Sequence, residues 1–329
     1  MWKPIRRRLL FSRANRWLIS WSRRYAPWGF AGFSIFAISR FFFRALSQGQ
    51  LITRASAISF KLFLAFFPAV IMLLTLIPFI PIANFQEKLL GSFMDLLPWE
   101  VYSFIEGQLH DLLVKKHATL LSLSSITGLY FASNSMDAIL AGFSGSSNLS
   151  TWHSPVKQRL LSLILLLLFG ILMIVSIAVL TLSSGAIGWL NDKGLVTGGL
   201  QTFGLSVVKW TVPLLLLLTG IAMLYSAGDP TRTRFHLLSP GSVLATVLVV
   251  IVAKALALIF GRFTDYNALY GSIGAILAVQ LWIYFNMIAL LIGFELNTSI
   301  AKAHRSHSDR LALRPSLGSV ESKPAAPAG

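Results

Sequence analysis

Residues 160–180 read LLSLILLLLFGILMIVSIAVL and belong to an uncharged run bounded by Arg159 and Asp192. A helix crossing a bilayer needs about 20 mainly apolar residues, because the hydrocarbon core is about 30 Å thick and each residue rises 1.5 Å. This run meets that length, and its place in the middle of the chain excludes a secretory signal. Working outward from it, five more apolar runs come into view. The six expected spans are 54–80, 118–142, 160–183, 205–226, 240–261 and 270–296. Lipid offers no hydrogen bonds, so each span must satisfy its backbone internally as a helix. The expected fold is therefore all-α, a polytopic membrane protein with a six-helix domain at 54–302.

Composition agrees. Charged residues make up 12% of the 329 positions, against about 25% in a soluble globular chain. Cysteine is absent, which excludes disulfide frameworks, thiolate zinc sites and cysteine nucleophiles. The net charge of +16 raises nucleic acid or anionic lipid as partners, and its distribution decides between them. Residues 1–54 hold eleven Lys/Arg and no acid. If this end is cytoplasmic, the inner segments carry twenty Lys/Arg and the outer segments five, alternating correctly across six spans. That is the positive-inside pattern, with both termini cytoplasmic. The charge is thereby explained as orientation, and no nucleic-acid partner is expected.

Three segments lie outside the spans. Residues 1–53 form a basic cytoplasmic arm. Within it, WGFAGFSIFAISRFFFRALSQ (28–48) carries Arg40 and Arg44 four apart among phenylalanines. Two arginines inside a span are costly, so an interfacial amphipathic helix facing anionic phospholipid headgroups is expected. Residues 81–117 show apolar residues at helical spacing on both sides of Pro98. They read as two short amphipathic helices forming an outer cap, with Glu100 and Glu106 on its polar side. From about 303 to 329, Ser, Pro, Ala and charge dominate, and a disordered cytoplasmic tail is expected.

An ionisable side chain within a span is a functional candidate by default. Lys61, Asp137, Lys254 and Glu295 qualify, with Asn134 one turn before Asp137. Their signs suggest that the two lysines pair with the two acids. Such pairs either line a polar pathway, with Asp137 and Lys254 binding an ion or headgroup, or lock the bundle statically. Asn134, Gln280 and Asn286 are expected to bond between helices. Pro68 interrupts the first span and is a candidate hinge.

Enzyme chemistry finds no support in the sequence. The six histidines show no HExxH or other metal spacing, and neither GxxxxGK[ST] nor GxSxG occurs. No catalytic residue, metal or cofactor is expected.

Three stretches carry a family resemblance. They are RASAISFKLFLAFFPAVIMLLTLIP (54–78), YFASNSMDAI (130–139) and YGSIGAILAVQLWIYFNMIALLIGFELNTSIA (270–301). They resemble the YihY/BrkB family of bacterial inner-membrane proteins, once labelled ribonuclease BN. Lys61 stands where that pattern has an aromatic residue. The resemblance implies a six-helix inner-membrane protein of undefined activity. It also carries a nuclease label that the residues do not support, since hydrolysis of nucleic acid wants clustered metal ligands in water.

The expected function is transport or handling of a small solute, ion or lipid, opened near Pro68 to expose Asp137 and Lys254. The alternative is an envelope scaffold or assembly factor acting through the outer cap. A homo-oligomer and an envelope protein are the protein partners left open.

Overall fold

The computed structural model describes residues 34–48, 50–79, 86, 90, 99–149, 151–192, 199–230, 236–262 and 264–318. Among these there are helices and connecting turns but no strand. The elements in chain order are α1 (Ile35–Gln48), α2 (Leu51–Leu76), a 3-10 turn (Ile77–Phe79), α3 (Trp99–Val114) and α4 (Ala118–Ser144). There follow α5 (Pro155–Asp192), α6 (Gly199–Gly228), α7 (Pro240–Arg262) and α8 (Thr264–Gly318).

Six helices close into a ring. α2 packs on α4, α4 on α5, α5 on α6, α6 on α7, α7 on α8, and α8 returns to α2. The tightest seams are α2–α4 and α7–α8. Small residues explain the first. Gly128, Ser135 and Gly142 recur every seven residues on α4 and are all buried, so the backbones approach closely. The Ser135 hydroxyl donates to the Lys61 carbonyl at 3.0 Å. Gly128 lies against the backbone of Pro68, through which α2 continues as one helix.

The ring is built outside-in relative to a soluble bundle. Its core holds Ile58, Leu140, Phe143, Tyr225, Leu291 and Phe294. Phe143 and Phe294 stack at 4.1 Å between ring centroids. Yet the outer surface is equally apolar: Leu129, Leu167, Ile174, Ile251, Leu258 and Trp282 are all exposed. Meanwhile Ser59, Ser133, Asn297, Thr298 and Glu295 are buried. Water would not tolerate continuous apolar faces of this extent, whereas hydrocarbon requires them.

Five described helices are long and apolar enough to cross a membrane: Leu51–Phe79, Pro155–Ser176, Thr211–Gly228, Pro240–Phe260 and Ile276–Ser306. Each overlaps an expected span.

α1 seats Ile38 against Ile300 and Ala303 of α8, with Phe41 and Leu296 beside them. Arg40 and Arg44 lie on its exposed side. This contact also bears on the tail. Residues 303–318, expected to be disordered, continue α8 as helix. Ala303, with Ile300 just before it, is buried against Ile38, and the Ala, Leu and Arg of the extension are good helix formers. Residues 319–329, the arm before residue 34 and most of the first cap helix lie outside the described residues. The second cap helix is α3, which packs Leu109 and Leu113 against Leu74 and Ile77.

Candidate functional site

At one pole of the bundle, a collar of polar side chains joins helix ends and the α4–α5 turn. Its centre is Glu295, wholly buried, whose Oε1 lies 2.6 Å from Nη2 of Arg54, itself only 11% exposed. Arg54 Nη1 donates to the Gly142 carbonyl at 2.8 Å, and the Ser146 hydroxyl donates to Glu295 Oε2 at 2.6 Å. The start of α2, the end of α4, the α4–α5 turn and α8 are thus held by one carboxylate. Gly145 makes room for this: a methyl there would strike the Arg54 side chain.

Two residues further along α8, Asn297 secures α7. The sequence Ser239-Pro240-Gly241-Ser242 starts that helix as physics favours, with Ser at the N-cap and Pro at the first turn. Ser239 Oγ accepts from the Ser242 N–H at 3.2 Å. The Gly241 N–H has no intrahelical partner, and Asn297 Oδ1 accepts it at 2.8 Å. Asn297 Nδ2 donates to Ser239 Oγ at 2.9 Å. Asn148 of the α4–α5 turn donates to the Ser299 hydroxyl at 2.9 Å, and Lys302 donates to the Ser147 carbonyl at 3.0 Å.

A second polar group joins α4 to the start of α5. Gln158 Nε2 donates to Asp137 at 2.8 Å, and the Ser162 hydroxyl approaches the same oxygen at 3.4 Å. Trp152 donates to Gln158 Oε1 at 2.6 Å. Arg159 donates to Asn134 Oδ1 and to the Ser133 hydroxyl, both at 3.0 Å.

The candidate residues from the sequence therefore separate. Asp137 and Asn134 share one site, and Glu295 anchors another. The expected pairing of lysines with acids does not form. Glu295 takes Arg54, Asp137 takes neutral donors, and Lys61 and Lys254 stand on the exposed outer faces of α2 and α7. The reason is helical phase, since Lys254 falls in line with Val247, Ile251 and Leu258 on the outward stripe of α7. Asn134 does bond between helices. Asn286 instead donates to the Trp282 carbonyl of its own helix, and Gln280 reaches Ser59 at 3.5 Å, the limit of such a bond. Sequence reasoning missed Arg54, Ser146, Gln158, Arg159 and Asn297 as partners. The available signal was that a buried acid at the end of an apolar span needs a cation at the same depth, such as one at the start of another span.

Where the cap helix α3 turns into α4, Asp111 accepts from Lys115 at 2.6 Å and faces His117 Nε2 at 3.1 Å. The Lys115 hydrogen bond, aided by the charges of Lys115 and His117 against a smaller opposing desolvation, holds the Asp111 carboxyl below its usual 3.8. A lowered carboxyl contributes above its unfolded value and loses that contribution as pH falls through the folded one. Acidification below about pH 3.8 should therefore loosen the α3–α4 turn, read as faster amide exchange at residues 111–121.

Among the described residues, no three His, Asp or Glu side chains gather closely enough to hold a metal ion.

Apolar outward faces, polar inward seams and several helices of spanning length define an all-α polytopic membrane protein. The chain belongs to the family described as virulence factor BrkB, which matches residues 42–315. It is 27% identical over 257 residues to the putative ribonuclease-like protein YfkH of Bacillus subtilis, covering 78% of this chain and 92% of that one. It is 30% identical over 110 residues to the UPF0761 membrane protein PSHAa0171 of Pseudoalteromonas translucida, covering 33% and 35%. It is 26% identical over 149 residues to the UPF0761 membrane protein MS0032 of Mannheimia succiniciproducens, covering 44% and 50%. No solved structure matches.

Proposed function

We propose that this chain is a six-span protein of the bacterial cytoplasmic membrane, with both termini cytoplasmic, that handles membrane lipid and is not an enzyme. α4 is the sixth span in this reading. Its hydroxylic face is turned inward, where Ser124, Ser133 and Ser135 are buried, and Leu123, Ile126 and Leu129 point outward. Its place between α2 and α5 in the closed ring supports the same assignment. The twenty-to-five distribution of Lys/Arg supports placing the collar at the cytoplasmic face.

Among the cargoes left open by the sequence, lipid is favoured over ion or solute by one observation. The helix α1 presents Arg40, Arg44 and the exposed Phe43 outward while its other face is fixed to α8. A basic, aromatic, immobilised surface at the membrane boundary suits anionic headgroups. The Asp137–Lys254 pathway no longer favours ion movement, because those residues face different environments.

The test is reconstitution into vesicles, following transbilayer movement of fluorescent lipids and flux of ions. Lipid movement above that of empty vesicles is expected, without ion flux. Ion flux without lipid movement would reverse the assignment. Replacing both arginines, Arg40→Gln with Arg44→Gln, should slow movement of an anionic lipid about thirtyfold, from about 1 kcal/mol per basic residue at the surface. An unchanged rate would remove α1 from the mechanism.

The scaffold alternative draws on α3, whose Glu106 and His110 are exposed while its apolar face is packed. It predicts that Glu106→Lys abolishes capture of an envelope partner while changes at Asp137 leave capture intact.

A further inference from the structure

The α4–α5 seam holds two opposite charges that do not neutralise each other. Asp137 Oδ1 accepts from Gln158 and lies 3.4 Å from the Ser162 hydroxyl, while Arg159 donates to Asn134 and Ser133. Neither residue forms an ion pair among the described residues. Trp152 sets this arrangement. Its indole N–H can only donate, so Gln158 presents Oε1 to it and turns Nε2 toward Asp137. Oδ1 is thereby occupied. Oδ2 makes no hydrogen bond among the described residues and is not buried. Arg159 spends two of its N–H groups on neutral partners, and the fork has more to give. Locking the helices does not need the acid. An amide at position 137 would accept from Gln158 equally well, without the cost of a half-buried ion.

The charges are ordered by depth. α4 runs toward the collar and α5 away from it, and Arg159 directly precedes the uncharged run of α5, at the membrane boundary. Asp137 falls in line with Tyr130, Ala141 and Ser144, all exposed, so it lies on the outward side of α4. The Arg159 guanidinium is held against Asn134 and Ser133, one turn before Asp137 and about 5 Å farther from the collar. Beyond it, the exposed side chains are Tyr130 of α4 with Leu163 and Leu167 of α5. From hydrocarbon to water, the seam reads apolar, cationic, anionic.

We propose that this seam binds a phospholipid whose zwitterionic headgroup ends in a primary amine, as in phosphatidylethanolamine. Such a lipid runs in the same order, from acyl chains through phosphate to ammonium. Its ethylene link spans about one helical turn, ~5 Å. Arg159 takes the phosphate oxygens with its planar fork, and Asp137 Oδ2 accepts from the ammonium. The acyl chains continue along Tyr130, Leu163 and Leu167. Charge complementarity selects this occupant. A purely anionic headgroup meets Asp137 with like charge, and choline has no N–H to donate to it. Soluble phosphoethanolamine carries the same charges but has nothing to lay on the apolar side chains. The inference rests on the lipid-handling reading for the place of α4 and α5 in the bilayer. It names a headgroup class at a surface away from α1, which rests on α8.

The experiment uses the full chain in vesicles of equal parts phosphatidylethanolamine, phosphatidylcholine and phosphatidylglycerol. Native mass spectrometry reads the lipid retained per purified molecule, and transbilayer movement of fluorescent forms is followed separately. The parent should retain phosphatidylethanolamine about tenfold over each of the others. Asp137→Asn keeps an acceptor for Gln158 and should fold as the parent does. It should lose the preference over phosphatidylcholine and retain more phosphatidylglycerol, because the like charge is gone. A merely structural acid would not move that ranking. Arg159→Gln should lower retention of all three lipids about tenfold. Equal retention of the three lipids by the parent, which needs no variant, would overturn the site. So would a ranking unchanged in Asp137→Asn. Displacement of bound lipid by soluble phosphoethanolamine would overturn the lipid as occupant in favour of the free compound. Lipid movement without the preference would leave lipid handling standing and remove this site, whereas the preference without movement of any lipid would do the reverse.

Discussion

Glu295→Ala should lower the stability of the bundle by about 3–5 kcal/mol, measured by reversible unfolding in mixed micelles. The substitution removes the carboxylate that faces Arg54 and leaves a guanidinium that is 11% exposed, with the Gly142 carbonyl still bonded to it. The hydroxyl of Ser146 loses its carboxylate acceptor at the same time. Volume is not the issue, so Glu295→Gln, nearly the same shape, should cost almost as much. Removing both charges together is different. Arg54→Met with Glu295→Leu takes away the desolvation penalty of two ions along with their attraction, and should recover more than half of the loss. A single-variant cost below about 1 kcal/mol would mean that the pair is solvated, as surface pairs are, and that the collar does not hold the helices.

The contrast between Glu295 and Lys254 shows what can be read from the sequence. Both are ionisable residues in apolar runs, and hydropathy treats them alike. The runs themselves are legible because bilayer thickness fixes their length. Each of the five helices of spanning length overlaps an expected span, and the family match covers the stretches whose residues resemble it. Pairing is not legible, because it depends on helical phase and on which helices become neighbours in the ring. In the sequence, Arg54 is one of the positive charges that orient the chain. Its second role, as the partner of an acid 241 residues away, requires α2 and α8 to be adjacent. Lys254 faces outward for a similarly non-local reason. The small residues at Gly241, Ala245 and Gly293 turn the opposite side of α7 to α8. The sequence also understates the length of α8, because a charged tail signals water but not necessarily disorder when one of its faces still has Ile38 to cover.

That α7–α8 seam carries the second large effect. Gly241→Ala should destabilise the bundle by about 3 kcal/mol or more. The added methyl would strike the carbonyl oxygen of Gly293 and lie within 2.5 Å of the Asn297 side chain. One of those obstacles is backbone, which cannot rotate aside, so α7 must lift from α8. Lifting breaks the bonds by which Asn297 caps the Gly241 N–H and holds Ser239, each normally worth about 1 kcal/mol. The same chemical change elsewhere should act with the opposite sign. Gly170 sits within α5, and a methyl added there would meet nothing within 4 Å, so Gly170→Ala adds no collision. It removes glycine's excess freedom in the unfolded chain and should stabilise by about 0.5–1 kcal/mol. The two alanines, compared in the same micelles, separate close helix approach from helix propensity. Equal effects of one sign would mean that α7 and α8 do not meet at Gly241 and Gly293. Opposite signs of these sizes would place the backbone contact of α7 and α8 at the two glycines, beside the Asn297 cap.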